Sequence, residues 1–129
     1  MKQELIYKGR KISVFREEHE LPDGRRAQVE VVRHPGAVVI LPQASDGRLY
    51  LLKQFRPAIG KTIYEFPAGT LEIGEEPSFC AARELEEEIG MSAAHWVDLG
   101  NLLPAPGFCD ELQYCYFAKD LTPKSRPMD

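Results

Sequence analysis

The chain has 129 residues, enough for one domain with a hydrophobic core. An apolar fraction of 43% and a charged fraction of 28% are typical of soluble globular proteins. The net charge of −4 argues against general nucleic-acid binding, and no run rich in Lys and Arg opposes this. No apolar stretch could span a bilayer, and the N-terminal residues lack the apolar core of a signal peptide. We therefore expect a cytoplasmic protein without a nucleic-acid or membrane partner.

The first part of the chain predicts antiparallel strands. Residues 11–21 alternate imperfectly between polar and apolar, a turn follows at 22–24, and residues 27–32 return as the second strand of a hairpin. Residues 37–41 are apolar on both faces, which favours a central strand. A further strand is predicted at 49–52, after an Asp-Gly turn.

A helix is predicted over residues 78–89. Pro77 suits the first helical position, and Gly90 is a natural C-terminal stop. Apolar residues at helical spacing predict a buried stripe that consists of Phe79, Ala82, Leu85 and Ile89.

The remaining segments are shorter. Residues 57–74 are rich in Gly and Pro and predict a loop with one short strand near 63–66. Two strands are predicted at 96–103 and 112–118. Residues 121–129 have little apolar content, so no regular structure is expected there.

Three glutamates on the predicted helix indicate a metal site. Offsets of three and four residues place Glu84, Glu87 and Glu88 on one face, whereas Glu86 lies off it. Like charges this close repel each other, and Mg²⁺ or Mn²⁺ would supply the counter-charge, since hard cations prefer carboxylate oxygens. The alternative is an acidic face exposed to solvent, because glutamate is a strong helix former.

The spacing around these glutamates carries a family resemblance. Gly69 is followed after five residues by Glu75, and after seven more by the run 83–91, Arg-Glu-Leu-Glu-Glu-Glu-Ile-Gly-Met. This segment resembles the signature of the Nudix hydrolases at every fixed position. Seven positions demand one residue type, so a chance match at one register is on the order of 10⁻⁸. The resemblance implies an enzyme that uses divalent metal to hydrolyse nucleoside diphosphates linked to another moiety.

The resemblance also implies which groups hold the cation. Glu84 and Glu88 would be the principal side-chain ligands, and the carbonyl of Ala68 a backbone ligand. Glu87 would either bind the cation or hold a water molecule beside it, which gives it a catalytic role. Metal ions that bridge phosphate oxygens neutralise their charge.

Other residues of the signature have structural roles in this reading. Gly69 allows close approach of the backbone. Arg83 and Glu75 are expected to form an internal pair that positions the loop against the helix. Gly90 ends the helix.

A downstream loop resembles the ADP-ribose pyrophosphatase branch of the family. In residues 103–111, Pro and Gly precede an acidic pair. In that branch a glutamate of this loop acts as general base, or binds a metal, when the loop closes over the substrate. Glu111 matches its position better than Asp110, and a loop position permits such closure. The alternative is an exposed loop carboxylate.

Residues 33–36, 54–57 and 65–69 also resemble segments of the same branch. The resemblance suggests that Arg56 contacts phosphate or the terminal ribose and that Arg33 lies near the nucleotide. Arginine suits phosphate because its planar fork donates two hydrogen bonds. The strands before Val38 resemble a small domain that is exchanged between the subunits of a homodimer, so we expect a homodimer.

Together these features predict an α/β Nudix fold: a mixed β-sheet between helices, preceded by N-terminal antiparallel strands. We expect an N-terminal strand region at 1–36, for dimerisation, and a Nudix hydrolase domain at 37–129. Family members usually continue with a further helix, so we expect truncation at the C-terminus with that helix missing.

The expected reaction is Mg²⁺- or Mn²⁺-dependent hydrolysis of ADP-ribose, or a related nucleoside diphosphate sugar, to AMP and a sugar phosphate. Two alternatives stay open. One is a Nudix hydrolase for a dinucleotide or a nucleoside triphosphate, and the other is a non-catalytic domain that binds ADP-ribose.

Overall fold

The computed structural model describes residues 2–124. Nine strands and one helix lie within this range, in the order β1 (Lys2–Lys8), β2 (Ser13–Glu20), β3 (Arg26–Arg33), β4 (Ala37–Pro42), β5 (Leu52–Arg56), β6 (Lys61–Glu65), β7 (Ala68–Thr70), α1 (Pro77–Ile89), β8 (Met91–Leu102) and β9 (Gln113–Pro123). No helix in the described range is long and apolar enough to cross a membrane.

The N-terminal strands form a separate antiparallel sheet in the order β1-β2-β3. The predicted hairpin is present, with β2 and β3 in unbroken register from the pair Ser13–Arg33 to the pair Glu20–Arg26. Strand β1 was not predicted. It pairs with β2 at the edge of the sheet, and all its residues are exposed.

A four-stranded mixed sheet forms the centre of the chain, in the order β7-β4-β9-β8. Strand β4 is parallel to β9 and antiparallel to β7, so the prediction of a central strand at 37–41 is confirmed. Its buried side chains pack against α1 in a core that consists of Val38, Ile40, Cys80, Ala81, Leu85 and Ala118. The α/β class is thereby confirmed.

Helix α1 begins at Pro77 and ends at Ile89, close to the predicted bounds. Gly90 has a φ of 68°, and its N–H donates to the Glu86 carbonyl at 3.0 Å, which closes the helix. The predicted buried stripe is partly wrong, because Phe79 is 64% exposed and the side chains of Cys80 and Ala81 are buried instead. Residues this small let the helix approach the sheet closely.

Two other predictions are corrected. The strand predicted at 49–52 is displaced, because Leu49 makes only an isolated bridge with Gln43 and β5 begins at Leu52 and ends at Arg56. At the C-terminus β9 continues to Pro123, because long antiparallel pairing with β8 supplies the backbone hydrogen bonds that the composition did not indicate. Residues 125–129 of the predicted irregular tail lie outside the described residues.

The layering within the described range has one helical layer, which agrees with the expected Nudix fold without its further helix. Within residues 2–124 the mixed sheet carries one helix, which packs against β4, β7 and β8. A second helical layer is therefore not formed by this part of the chain.

Candidate active site

An arginine at the start of the glutamate cluster ties the preceding loop to the helix. Arg83 donates from Nε and Nη2 to the two carboxylate oxygens of Glu75, at 2.8 and 3.0 Å. The guanidinium lowers the pKa of Glu75 to about 2, helped by the backbone N–H of Glu72. The two residues that were expected to pair thus make a bidentate contact that fixes the loop against α1.

Glu84 lies directly over Gly69. A β-carbon at position 69 would overlap the Cγ, Cδ and Oε1 atoms of Glu84, so only glycine leaves room for this carboxylate. The Glu84 side chain is 12% exposed, and its Oε1 is 3.1 Å from Nη1 of Arg83. The close approach of backbone and carboxylate is the reason for glycine at this position.

Glu88 shares the site with Glu84 and β7. Its Oε1 accepts a hydrogen bond from the backbone N–H of Ala68 at 3.3 Å. Burial, together with the neighbouring Glu84 carboxylate, raises the pKa of Glu88 to about 7, and the charge of Arg56 opposes this shift. The positive charge near these two carboxylates does not offset their burial and their mutual repulsion.

Glu87 is placed differently from the other two. Its carboxylate oxygens accept hydrogen bonds from Nη1 of Arg83, both at 3.2 Å, and its side chain is more exposed. Among residues 2–124, no group of three or more His, Cys, Asp or Glu side chains is arranged to hold a metal ion. Glu84 and Glu88 lie close to each other, and Glu88 contacts the Ala68 backbone N–H. Carboxylate and carbonyl oxygens of these residues are donors of the kind that could hold a hard divalent cation.

A cavity of about 530 Å³ opens beside Glu84, whereas Glu87 and Glu88 are not among its lining residues. Glu84, Ala68 and Gly69 line one part of it, and Arg56 and Glu111 also line it. The chain thus brings together residues from the signature helix, the β5 strand and the loop before β9. These include four residues that the sequence assigned to metal, base or substrate: Ala68, Glu84, Arg56 and Glu111.

The two predicted substrate arginines have different surroundings. Arg56 donates from Nε to Glu65 at 2.7 Å, inside the cavity. Arg33 does not line this cavity; its guanidinium contacts Glu17 and Asp110 on the side of the N-terminal sheet.

Several polar residues of the cavity were not assigned a role in the site from the sequence, Lys11, His34 and Gln113 among them. Gln113 donates to the Glu111 carboxylate at 3.1 Å, and the ring Nδ1 of His34 accepts the N–H of Gly36 at 2.9 Å. No motif spacing marks them, because they reach the cavity through the packing of separate strands and loops.

Comparison with known proteins identifies the family. The model of the NUDIX domain matches residues 32–128. The chain belongs to the Nudix family. This assignment agrees with the helix, the glycine approach and the arginine–glutamate pair described above.

Individual Nudix relatives are similar over most of the chain. An ADP-ribose pyrophosphatase of Bacillus subtilis (strain 168) is 42% identical over 93% of the chain. A methanol dehydrogenase activator of Bacillus methanolicus is 40% identical over 96% of the chain. A crystal structure of ADP compounds hydrolase superposes with a TM-score of 0.83 at 27% identity, covering 100% of this chain and 70% of that one.

The chain is shorter than these Nudix relatives. It spans 65% of the length of the Bacillus subtilis protein and 67% of the length of the Bacillus methanolicus protein. The likeness therefore concerns the portion of each relative that this chain covers.

Proposed function

We propose that this Nudix chain hydrolyses the pyrophosphate bond of ADP-ribose, or of a related nucleoside diphosphate sugar, to AMP and a sugar phosphate. The observation that carries the proposal is that Glu84, Arg56 and Glu111 line one cavity. The similarity to an ADP-ribose pyrophosphatase and to a solved ADP compounds hydrolase supports this choice of substrate class.

Glu84, Glu88 and the Ala68 carbonyl are the proposed ligands of Mg²⁺ or Mn²⁺, with Glu87 beside them. The raised pKa of Glu88 and its contact with the Ala68 N–H support this donor set, because the two carboxylates need a counter-charge. When bound, the cation would neutralise charge on the diphosphate oxygens.

Glu111 is the proposed general base and Arg56 the proposed phosphate ligand. Glu111 would take a proton from water as the water oxygen attacks phosphorus and the bridging oxygen leaves with its electron pair. Arg56 is oriented by Glu65 through Nε, which directs the remaining N–H groups of its planar fork to other acceptors.

The N-terminal sheet is the proposed dimerisation region. Leu5 and Tyr7 on the edge strand β1 are 52% and 59% exposed, and an exposed apolar edge strand favours pairing with another chain. Sedimentation of the purified protein tests this proposal, and a monomer at micromolar concentration would contradict the homodimer.

A substrate panel tests the enzymatic proposal. Purified protein with Mg²⁺ is offered ADP-ribose, other nucleoside diphosphate sugars, dinucleotides and nucleoside triphosphates, and released AMP or other nucleotides are quantified. Preference for triphosphates would defeat the ADP-ribose assignment. Tight binding of ADP-ribose by calorimetry, without AMP release, would support the non-catalytic alternative. The calorimetry is needed because the similar protein of Bacillus methanolicus is named as an activator.

A further inference from the structure

A buried carboxylate lies outside the cavity described above. Glu17, in the middle of β2, is 0% exposed. Its oxygens accept hydrogen bonds from Arg33 Nη2 at 2.7 and 2.6 Å, and from Gln3 at 3.3 Å. His19 Nε2 is also 2.8 Å from it. A buried charge is tolerated only with partners of this kind, so the position of Arg33 is firmly set.

Arg33 extends this contact to the loop before β9. Its Nη1 is 3.3 Å from Asp110, whose other carboxylate oxygen accepts the His34 N–H at 2.8 Å. The backbones of the two segments are joined as well. The Val32 N–H donates to the Phe108 carbonyl at 2.7 Å, and the Asp110 N–H donates to the Val32 carbonyl at 3.1 Å. The loop is thus attached to the end of β3.

Glu111, which follows Asp110 in the loop, lies on a different cavity from Asp110. Asp110 lines the space beside the N-terminal sheet, whereas Glu111 lines the catalytic cavity. Because adjacent residues share a peptide plane, the position of one restricts the other. We infer that Glu17, acting through Arg33 and Asp110, is a positioning residue that holds the loop so that Glu111 faces the substrate.

This inference rests on the proposed role of Glu111 and reassigns Arg33. In this arrangement, Nη2 of Arg33 is committed to Glu17, and Nη1 contacts Asp110. In this inference Arg33 supports the site from outside the cavity, whereas the sequence suggested a place near the nucleotide.

Replacing Glu17 by Gln tests the attachment with little change in shape. The neutral amide cannot balance the Arg33 guanidinium, so the chain from Glu17 to Asp110 is weakened. Glu18→Gln is the matched control. Glu18 lies next to Glu17 in β2 and pairs at 2.7 Å with Arg26, which belongs to β3 as Arg33 does. This pair is more exposed, and among the described residues neither side chain forms an ion pair or hydrogen bond with the loop.

The first measurement is amide hydrogen exchange of residues 103–113 in the intact protein. We expect exchange in this segment to be about tenfold faster in Glu17→Gln and unchanged in Glu18→Gln, because weaker attachment raises the population of open loop. Equal exchange in the two variants would overturn the attachment, whatever the activity.

The second measurement is hydrolysis of ADP-ribose with Mg²⁺. Glu17→Gln should lower kcat on the order of tenfold to a hundredfold with little change in KM, since the base is misplaced and substrate contacts remain. In a Glu111→Gln background the same change should have little further effect on kcat, because the group it positions is gone. An undiminished loss of kcat in that background would overturn the inference.

A second variant guards against a folding defect in Glu17→Gln. Asp110→Ala changes a side chain that is 40% exposed, and we expect the same faster loop exchange and the same dependence on Glu111. If Glu111→Gln alone hydrolyses ADP-ribose at the normal rate, the proposed base is wrong and the kinetic part of the inference fails with it. The exchange result then still decides whether the loop is attached through Glu17.

Discussion

Gly69 and Glu84 approach so closely that a β-carbon on residue 69 would overlap the carboxylate of residue 84. Gly69→Ala must therefore displace the Glu84 side chain from its place over residue 69. We expect the rate of ADP-ribose hydrolysis to fall about a hundredfold or more, since small misplacements of catalytic groups have effects of that size.

Unfolding experiments separate this effect from loss of the fold. The overlapping atoms belong to the end of one side chain, so rotation of Glu84 relieves most of the clash. We expect a loss of about 1–3 kcal/mol in the free energy of unfolding, as for other overpacked sites. Normal activity of Gly69→Ala would show that Glu84 does not need its present position.

The pair Arg83–Glu75 predicts how stability depends on pH. The folded-state pKa of Glu75 is about 2, below its usual value of 4.5, because the Arg83 guanidinium favours the charged form. A group with a lowered pKa stabilises the fold above pH 4.5, and this contribution is lost as the pH falls towards 2. Glu75→Gln should therefore be less stable than the wild type at pH 7, and the difference should shrink below pH 4.5.

Urea unfolding at pH 7, 4.5 and 3 measures this difference. Glu4→Gln is the control, because Glu4 forms an exposed ion pair with Arg16 at 2.9 Å, and such pairs contribute little. If the difference in the free energy of unfolding between the wild type and Glu75→Gln stays constant down to pH 3, the charged pair does not provide the proposed stabilisation.

Local patterns allowed prediction of the helix and of the loop that precedes it. The bounds of α1 follow from Pro77 and Gly90, and the fixed spacing from Gly69 to Met91 identifies the loop and the glutamates. Phe79 was assigned to the wrong face, because a residue's hydrophobicity does not show which side of a helix meets the sheet. The small side chains of Cys80 and Ala81 pack against the sheet instead.

Long-range contacts could not be predicted in the same way. Lys11 lines the cavity that Glu84 and Glu111 also line, and Glu17 is buried beside Arg33, although neither residue belongs to a motif. Their positions depend on how the N-terminal sheet packs against the loop at Asp110. Local patterns in a single sequence do not specify such packing. The sequence did identify Glu111 as the better candidate of the acidic pair, and that residue faces the cavity.

Arg56 predicts a difference between arginine and lysine. Its Nε–H donates to Glu65 at 2.7 Å, and the proposed phosphate contact uses the remaining N–H groups of the same fork. A lysine keeps the charge but cannot make both contacts. We expect Arg56→Lys to lower kcat/KM for ADP-ribose about tenfold to a hundredfold, the equivalent of one charge-assisted hydrogen bond.

Arg48→Lys is the matched control for this substitution. Arg48 is 86% exposed and pairs with Asp46 at 2.7 Å in a turn outside the cavity. The Arg48→Lys variant should therefore have the same kcat/KM as the wild type. If Arg56→Lys also retains full kcat/KM, Arg56 does not bind the substrate through its fork.

Glu88 gives the most direct test of the metal site. Burial and the neighbouring Glu84 carboxylate raise the pKa of Glu88, so ionising both groups destabilises the protein when no cation is bound. Glu88→Gln removes one charge and leaves the shape, so the unfolding midpoint without metal should stay the same or rise. Turnover of ADP-ribose with Mg²⁺ should fall by several orders of magnitude, since a principal ligand is lost.

Thermal unfolding with increasing Mg²⁺ separates metal binding from catalysis. Saturation of a site that exists only in the folded state stabilises it, by about 2.7 kcal/mol at a hundred times Kd. The wild type should show this concentration-dependent shift and Glu88→Gln should lose it. Glu86→Gln should behave as the wild type, because Glu86 pairs with Lys124 at 2.7 Å, off the face shared by the other three glutamates. Near-normal turnover by Glu88→Gln, or an equal loss in Glu86→Gln, would contradict a metal site formed by Glu84 and Glu88.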